Sequence, residues 1–174
     1  MKHSAIVITT AISGLLVSAA VAQQNSANRM AAGDTSFVTK AGQGGMAEVE
    51  LGRLAVQKAS NEQVKQFGQR MIDDHSKVNN ELKTLCSNKG ITAPTGIDSA
   101  DQSRKDKLSG LSGAAFDKAY MEDMVSDHKK DVSEFEHEAS RGTDPEVKAF
   151  ASKTLPTLQQ HLQLAEQTLA QVKK

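Results

Sequence analysis

The sequence predicts an all-α fold: a four-helix bundle built as two antiparallel hairpins, with a long crossover between helices 2 and 3. Three observations carry this reading. Apolar residues recur at alternating spacings of four and three along four separate stretches, the pattern of a packed helix seam. Two of the three connections are short, whereas the middle one runs for roughly 23 residues, from Ile91 to Gly113, and is rich in Pro, Gly and Ser. Nowhere do apolar and polar residues alternate as in a half-buried strand.

The first helix is expected to begin at Asp34 or Thr35, both good N-caps, and to run to Ser60. Its seam reads Phe37, Ala41, Gly44, Glu48, Leu51, Ala55. Gly42, Gly44, Gly45 and Gly52 weaken this helix locally and allow close approach of a neighbour. A phosphate-binding loop at Gly42-Gln43-Gly44-Gly45 would need a preceding strand and a following Lys-Ser/Thr, and neither is present. Ser60-Asn61-Glu62 marks a tight turn and a new cap. The second helix reads Val64, Gly68, Met71, His75, Val78, Leu82, Leu85 and stops at Lys89-Gly90. Within the connection, a short helical piece is expected near Gln102 to Leu108. The third long helix, from about Ala114 to Ser140, shows Met121, Met124, His128, Val132, Phe135 and Ala139. Thr143 or Asp144 caps the fourth, with Pro145 at its first position. Its seam is Val147, Ala151, Thr154, Leu158, His161, Ala165, Leu169, Val172, and Pro156 is expected to bend it. Short turns force helices one and two antiparallel, and likewise three and four. A connection long enough to run back along the bundle makes helices two and three parallel, which is the ferritin-like arrangement.

The first residues read as an export signal. Lys2 and His3 precede the small and apolar run Ala5 to Ala20, and Ala20-Val21-Ala22 fits a cleavage site before Gln23. The expected organisation is a signal peptide at 1–22, a disordered polar segment at 23–34 and the helical bundle at 35–174, in a periplasmic protein with no transmembrane span in the mature chain. The chain has 21 basic and 21 acidic residues; loss of residues 1–22 removes only Lys2, leaving a net charge of −1. That balance, with five Phe, one Tyr and no Trp, argues against nucleic acid as a partner and leaves room for an envelope protein partner. Cys86 is the only cysteine, which excludes an internal disulfide, and its position after Leu82 and Leu85 reads as a small buried residue. Met46, Met71, Met121 and Met124 fall at helical spacing on apolar faces and read as core fillers.

One phrase occurs twice. Met71-Ile72-Asp73-Asp74-His75-Ser76-Lys77 and Met124-Val125-Ser126-Asp127-His128-Lys129-Lys130 share a Met, a β-branched residue, an Asp-His pair and a Lys. Each copy turns its His toward the apolar seam, where a titratable ring is expensive unless it is hydrogen-bonded or holds something. Each long helix thus places a polar residue in its seam: Glu48, His75, His128 and His161. Counting about 1.5 Å per residue from the turns puts all four near mid-height. The four form a candidate metal site for a divalent transition metal, Zn, Cu or Fe, with Asp74 and Asp127 as carboxylates that orient the histidines. The reading that residue types of this kind more often support is a purely structural polar layer that fixes helix register. A di-iron oxidase centre requires Glu-x-x-His on two helices; the one such motif here is Glu134-Phe135-Glu136-His137, with His137 outside the seam. No nucleophile motif is readable, so no catalytic residue is assigned.

Several phrases together resemble one family. They are Phe37-Val38-x-Lys40-Ala41 and Glu48-Val49-Glu50-Leu51-Gly52, then Val64-Lys65-x-Phe67-Gly68-x-Arg70 and the two Met-…-Asp-His phrases. The fourth helix adds Phe150-Ala151-x-Lys153-Thr154-Leu155-Pro156-x-Leu158-x-x-His161-Leu162. Spanning nearly all of residues 35–170, they resemble the exported ferritin-like "domain of unknown function 4142" proteins. The resemblance implies an antiparallel helical bundle exported after signal cleavage, with no established reaction. The expected role is an envelope stress or metal-handling binding protein; the alternatives are a partner-binding scaffold and a metal-dependent oxidase or hydrolase.

Overall fold

The computed structural model describes residues 30–173. The expected signal peptide and most of the expected polar segment 23–34 lie outside them. Five helices follow in order: α1 (Ala32–Lys58), α2 (Glu62–Asn88), α3 (Ser99–Ser109), α4 (Gly113–Arg141) and α5 (Pro145–Val172). Among the described residues there is no strand, and no helix is long and apolar enough to cross a membrane.

The direction of each helix follows from what its ends touch. Ser60 and Asn61, in the α1–α2 turn, donate their backbone N–H groups to Asp117 in the first turn of α4 (3.0 and 2.9 Å). Thr143 and Asp144, in the α4–α5 turn, donate theirs to Asp34 in the first turn of α1 (both 3.0 Å). Lys89, at the end of α2, pairs with Asp144 and Glu146 at the start of α5. Thus α1 runs antiparallel to α4, and α2 starts at the same end as α4. Helices α2 and α4 are parallel, as the long crossover requires. The crossover carries its own helix, α3, three residues longer at its N-terminal side than expected because Asp98 caps it, accepting the N–H of Asp101 at 2.8 Å.

The first helix begins earlier than its cap-like residues indicate. Its N-cap is Ala31, which makes no side-chain hydrogen bond. Asp34 is instead taken by the distant turn, where its two oxygens satisfy backbone donors that would otherwise be buried without partners. Asn61 and Asp144 do cap α2 and α5, accepting from Gln63 and Glu146. The stop at Gly90 is a Schellman turn: Ile91 N–H reaches Cys86 C=O (3.0 Å) and Gly90 N–H reaches Ser87 C=O (3.1 Å), with Gly90 at φ +64°. Helix α5 continues on both sides of Pro156.

The two hairpins repeat each other at a fixed offset. Asp34, Phe37, Ser60, Asn61, Val64 and Phe67 stand 83 positions before Asp117, Tyr120, Thr143, Asp144, Val147 and Phe150. Each hairpin's first helix therefore caps the other hairpin's turn with the same Asp, a reciprocal arrangement about a pseudo-twofold axis. Apolar packing fills both ends. Phe37, Phe135 and Phe150 meet edge-on or tilted near the α4–α5 turn, with centroids 4.9 to 6.5 Å apart. Leu51, Ala55, Val64, Phe67, Met71, Phe116, Tyr120, Met121 and Met124 close the opposite end. Cys86 is buried and free, as its place beside Leu82 predicts.

Within the first hairpin α1 and α2 touch backbone to backbone. A Cβ on Gly68 would lie 2.6 Å from Ala55 Cβ and 2.8 Å from Gly52 C=O; one on Gly52 would lie 2.6 Å from Gly68 C=O. Neither obstacle is a flexible side chain, so the helices themselves would have to part. Gly68→Ala is therefore expected to destabilise the protein by about 1–3 kcal/mol despite its better helix propensity. Urea unfolding should show a lower midpoint at unchanged slope; a midpoint at or above that of the unaltered protein would refute the close approach.

Candidate metal centre

Three helices bring one histidine each to the middle of the bundle. His75 comes from α2, His128 from α4 and His161 from α5; they are 4%, 0% and 1% exposed. One nitrogen from each ring lies within 4.8 Å of the other two, and the ring centroids are 5.4 to 5.9 Å apart. Met71 and Met124, one turn before His75 and His128, fix each ring's direction by burying the preceding turn of the seam. Phe67 closes the layer from below, edge-on to His128 at 6.2 Å.

The hydrogen bonds decide which nitrogens are free. His128 Nδ1–H donates to Met124 C=O (3.0 Å), one turn back on its own helix. His161 Nε2–H donates to Asp74 Oδ2 (3.0 Å) across the α2–α5 interface. Asp74 is itself held by Arg70 and Lys77. What remains is His75 Nε2, His128 Nε2 and His161 Nδ1, three buried nitrogens with no partner among the described residues. Each is the lone-pair side of its ring wherever the opposite nitrogen has an acceptor.

Burial keeps these rings neutral. His75 is held well below the usual imidazole range by burial first and by the other two histidines second. His128 is pushed down to about 4, again mainly by burial and then by His161. His161 is lowered too, burial outweighing the favourable Asp74 contact. Three neutral imidazoles facing one another are the state in which they bind a metal.

Glu48 stands apart from this set. Its carboxyl is fully buried, receives no donor from an N–H group, and is not among the atoms that could share an ion with the histidines. It faces Asp127. Burial, and then the Asp127 charge, push Glu48 well above the usual carboxyl range. Burial also raises Asp127, but the Glu48 hydrogen bond and the Arg104 guanidinium more than offset it and leave Asp127 below its ordinary value. Of the two, Glu48 is thus the one that holds its proton to higher pH. Of the two expected orienting carboxylates, Asp74 contacts a histidine and Asp127 is engaged by Glu48 and Arg104 (3.0 Å). His137 is exposed, as expected from its place outside the seam.

Sequence reasoning missed Arg104. It sits on α3, in what reads as a linker, and ties together Asp101 (2.8 Å), Asp123 (2.8 Å) and Asp127 (3.0 Å). A signal did exist: Asp123, Asp127 and Asp131 form a stripe at i, i+4 and i+8 on α4 beside His128. Like charges at that spacing repel, so a half-buried stripe calls for a cation from elsewhere in the chain.

The hydrogen-bond pattern sets two expected outcomes. Long-range ¹H–¹⁵N spectra of the metal-free protein should show His128 as the Nδ1–H tautomer and His161 as Nε2–H. The His128 ring should stay neutral at pH 5. Because the folded rings bind protons less readily than unfolded ones, their contribution to stability is present above about 6.5. It is lost as pH falls toward about 4, on the order of 3 kcal/mol for His128 alone. A charged imidazolium signal from His128 at pH 6 would refute the buried neutral layer.

Comparison with solved structures gives the same architecture. A DUF305 fragment from Deinococcus radiodurans matches with a TM-score of 0.72 at 13% identity, covering 82% of this chain and 98% of that one. A DUF305 protein from Streptomyces coelicolor matches with a TM-score of 0.70 at 14% identity, covering 81% and 92%. At such identities the likeness concerns the fold alone, an all-α ferritin-like bundle. No curated protein matches the chain. The model of the domain of unknown function DUF4142 matches residues 19–168, and the chain therefore belongs to the DUF4142 family.

Proposed function

We propose that this protein binds one late first-row transition-metal ion, zinc or copper, through His75, His128 and His161, and acts in the cell envelope as a metal-handling protein. The observation that carries the reading is the set of three buried, unpartnered nitrogens within 4.8 Å of one another. Neutral imidazole suits zinc and copper. A carboxylate-bridged di-iron centre has little support, since the candidate ligand set is three histidines with no carboxylate, Glu48 included. Three protein ligands leave a fourth position open, the pattern of sites that exchange a ligand, whereas structural sites close with four. The envelope location rests on the leader-like residues 1–22.

Metal analysis of the purified protein after growth with zinc or copper should find one equivalent per chain, and His75→Ala should abolish it. At a free metal concentration near a hundred times Kd, binding adds about 2.7 kcal/mol to stability. That increment should be present in the unaltered protein and missing in His75→Ala. If no stoichiometric metal is found and His75→Ala destabilises equally with and without metal, the layer is structural and the reading fails. Asp74→Asn should keep one equivalent but weaken affinity about 10–100-fold, because the carboxylate fixes the tautomer and basicity of His161. Unchanged affinity would show that Asp74 serves the helix interface alone.

A further inference from the structure

A cavity of about 330 Å³ opens between α1, α4 and the crossover helix α3, and its inner wall includes His75. His75 thus belongs both to the cavity and to the three-histidine layer, and it is 4% exposed with Nε2 unpartnered. The walls carry twice as many carboxylates as cations, six against Lys40, Arg104 and Lys130. Arg104 already holds Asp101, Asp123 and Asp127, and Asp98 caps α3. Lys40 lies 3.7 Å from Glu134 in an exposed contact. Asp131 alone among these acids has no hydrogen-bond or ion-pair partner among the described residues, and it is half-buried. On the α1 wall, Gly44 and Gly45 add no side chain, and a Cβ on Gly44 would meet nothing within 4 Å. The glycine run that fails as a phosphate loop thus has a physical use, since it leaves the cavity open at a point where almost any other residue would narrow it.

We propose that this cavity is the loading channel of the metal centre: a hydrated divalent cation enters past Gly44, is drawn along the acid-rich wall that Asp131 joins once it loses its proton, and is passed to His75, the first ligand it meets. The inference rests on the three-histidine reading. The negative wall concentrates cations near the opening and speeds their arrival, an effect that ionic strength screens. A channel residue lowers the barrier for entry and exit alike, so it changes both rates without changing the equilibrium.

Cobalt(II) chloride is the probe, followed by its visible absorption on stopped-flow loading and on release into excess EDTA. Burial, and then Asp127, push the Asp131 carboxyl up to about 8. At about pH 8.5, where it is mostly charged, Asp131→Asn should therefore slow loading and release together, about 3–10-fold at low ionic strength, with Kd within about twofold of the unaltered protein, and near pH 6 it should change neither rate. The effect should shrink as salt rises from about 10 mM to physiological strength. Gly44→Trp should slow both rates by obstruction, with no such salt dependence, and its helicity should be intact because the new Cβ meets open space. Glu62→Gln, the same charge change at an exposed site at the start of α2, should leave both rates alone. Loading of Asp131→Asn and Gly44→Trp at the unaltered rate would overturn the channel while leaving the metal site standing. A weaker Kd with unchanged loading in Asp131→Asn would make Asp131 a ligand and would also overturn it. If the unaltered protein takes up no cobalt, the metal centre itself fails, and the channel with it.

Discussion

The rest of the structure depends on a layer of polar groups buried in the middle of a helix bundle. Removing an imidazole from water costs free energy unless its donor and acceptor both find partners. Here two rings settle one nitrogen each, on Met124 C=O and Asp74, and turn the other inward. With His75 Nε2, three nitrogens converge with no partner among the described residues. A layer built only to fix register would close its hydrogen bonds internally, as a His donating to a Glu would. This one does the opposite: the available carboxyl, Glu48, is not in reach of the three ring nitrogens and leaves the histidines facing each other.

Such a layer survives only if the surrounding bundle is rigid, and the bundle is tied at both ends by the same device. Asp34 and Asp117 each satisfy two backbone N–H groups in the opposite hairpin's turn. The hairpins therefore cannot slide along each other without exposing buried donors at both ends at once. At one end of the molecule, the Gly52–Gly68 contact locks α1 to α2 at a distance no larger residue allows. Helix register, and with it the height at which His75 meets His128 and His161, is set by these contacts more than by the histidines themselves.

Much of this was legible in the sequence, and the unread part has a common cause. The seams, the Asn61 and Asp144 caps, the stop at Gly90 and the three inward histidines all follow from spacing along a single helix, which the chain states directly. The exceptions depend on what another element supplies. Asp34 reads as an N-cap because its type fits, yet a distant turn has more to gain from it. Glu48 shares the seam with the histidines, but which neighbour its carboxyl meets is set by side-chain direction across α1 and α4. Arg104 is hidden in a connection, where periodicity says nothing.

The repeat explains where the chemistry sits. At an offset of 83, the scaffold positions agree in kind: Asp34 with Asp117, Asn61 with Asp144, Val64 with Val147, Phe67 with Phe150. Glu48 and Asp131, the two acids nearest the layer with raised carboxyl values, also correspond. The histidines do not: His75, His128 and His161 match Leu158, Gly45 and Val78. The pseudo-twofold therefore governs the turn caps and these matched positions, and the three-histidine layer does not follow it. A symmetric bundle with histidines at both members of each pair would crowd six rings into one layer, more than any single ion can use. Gly45 and Val78, small or apolar, leave three rings in the layer, the number one ion could use. Beside them, next to Gly45, Gly44 leaves the cavity open where the proposed channel would admit that ion.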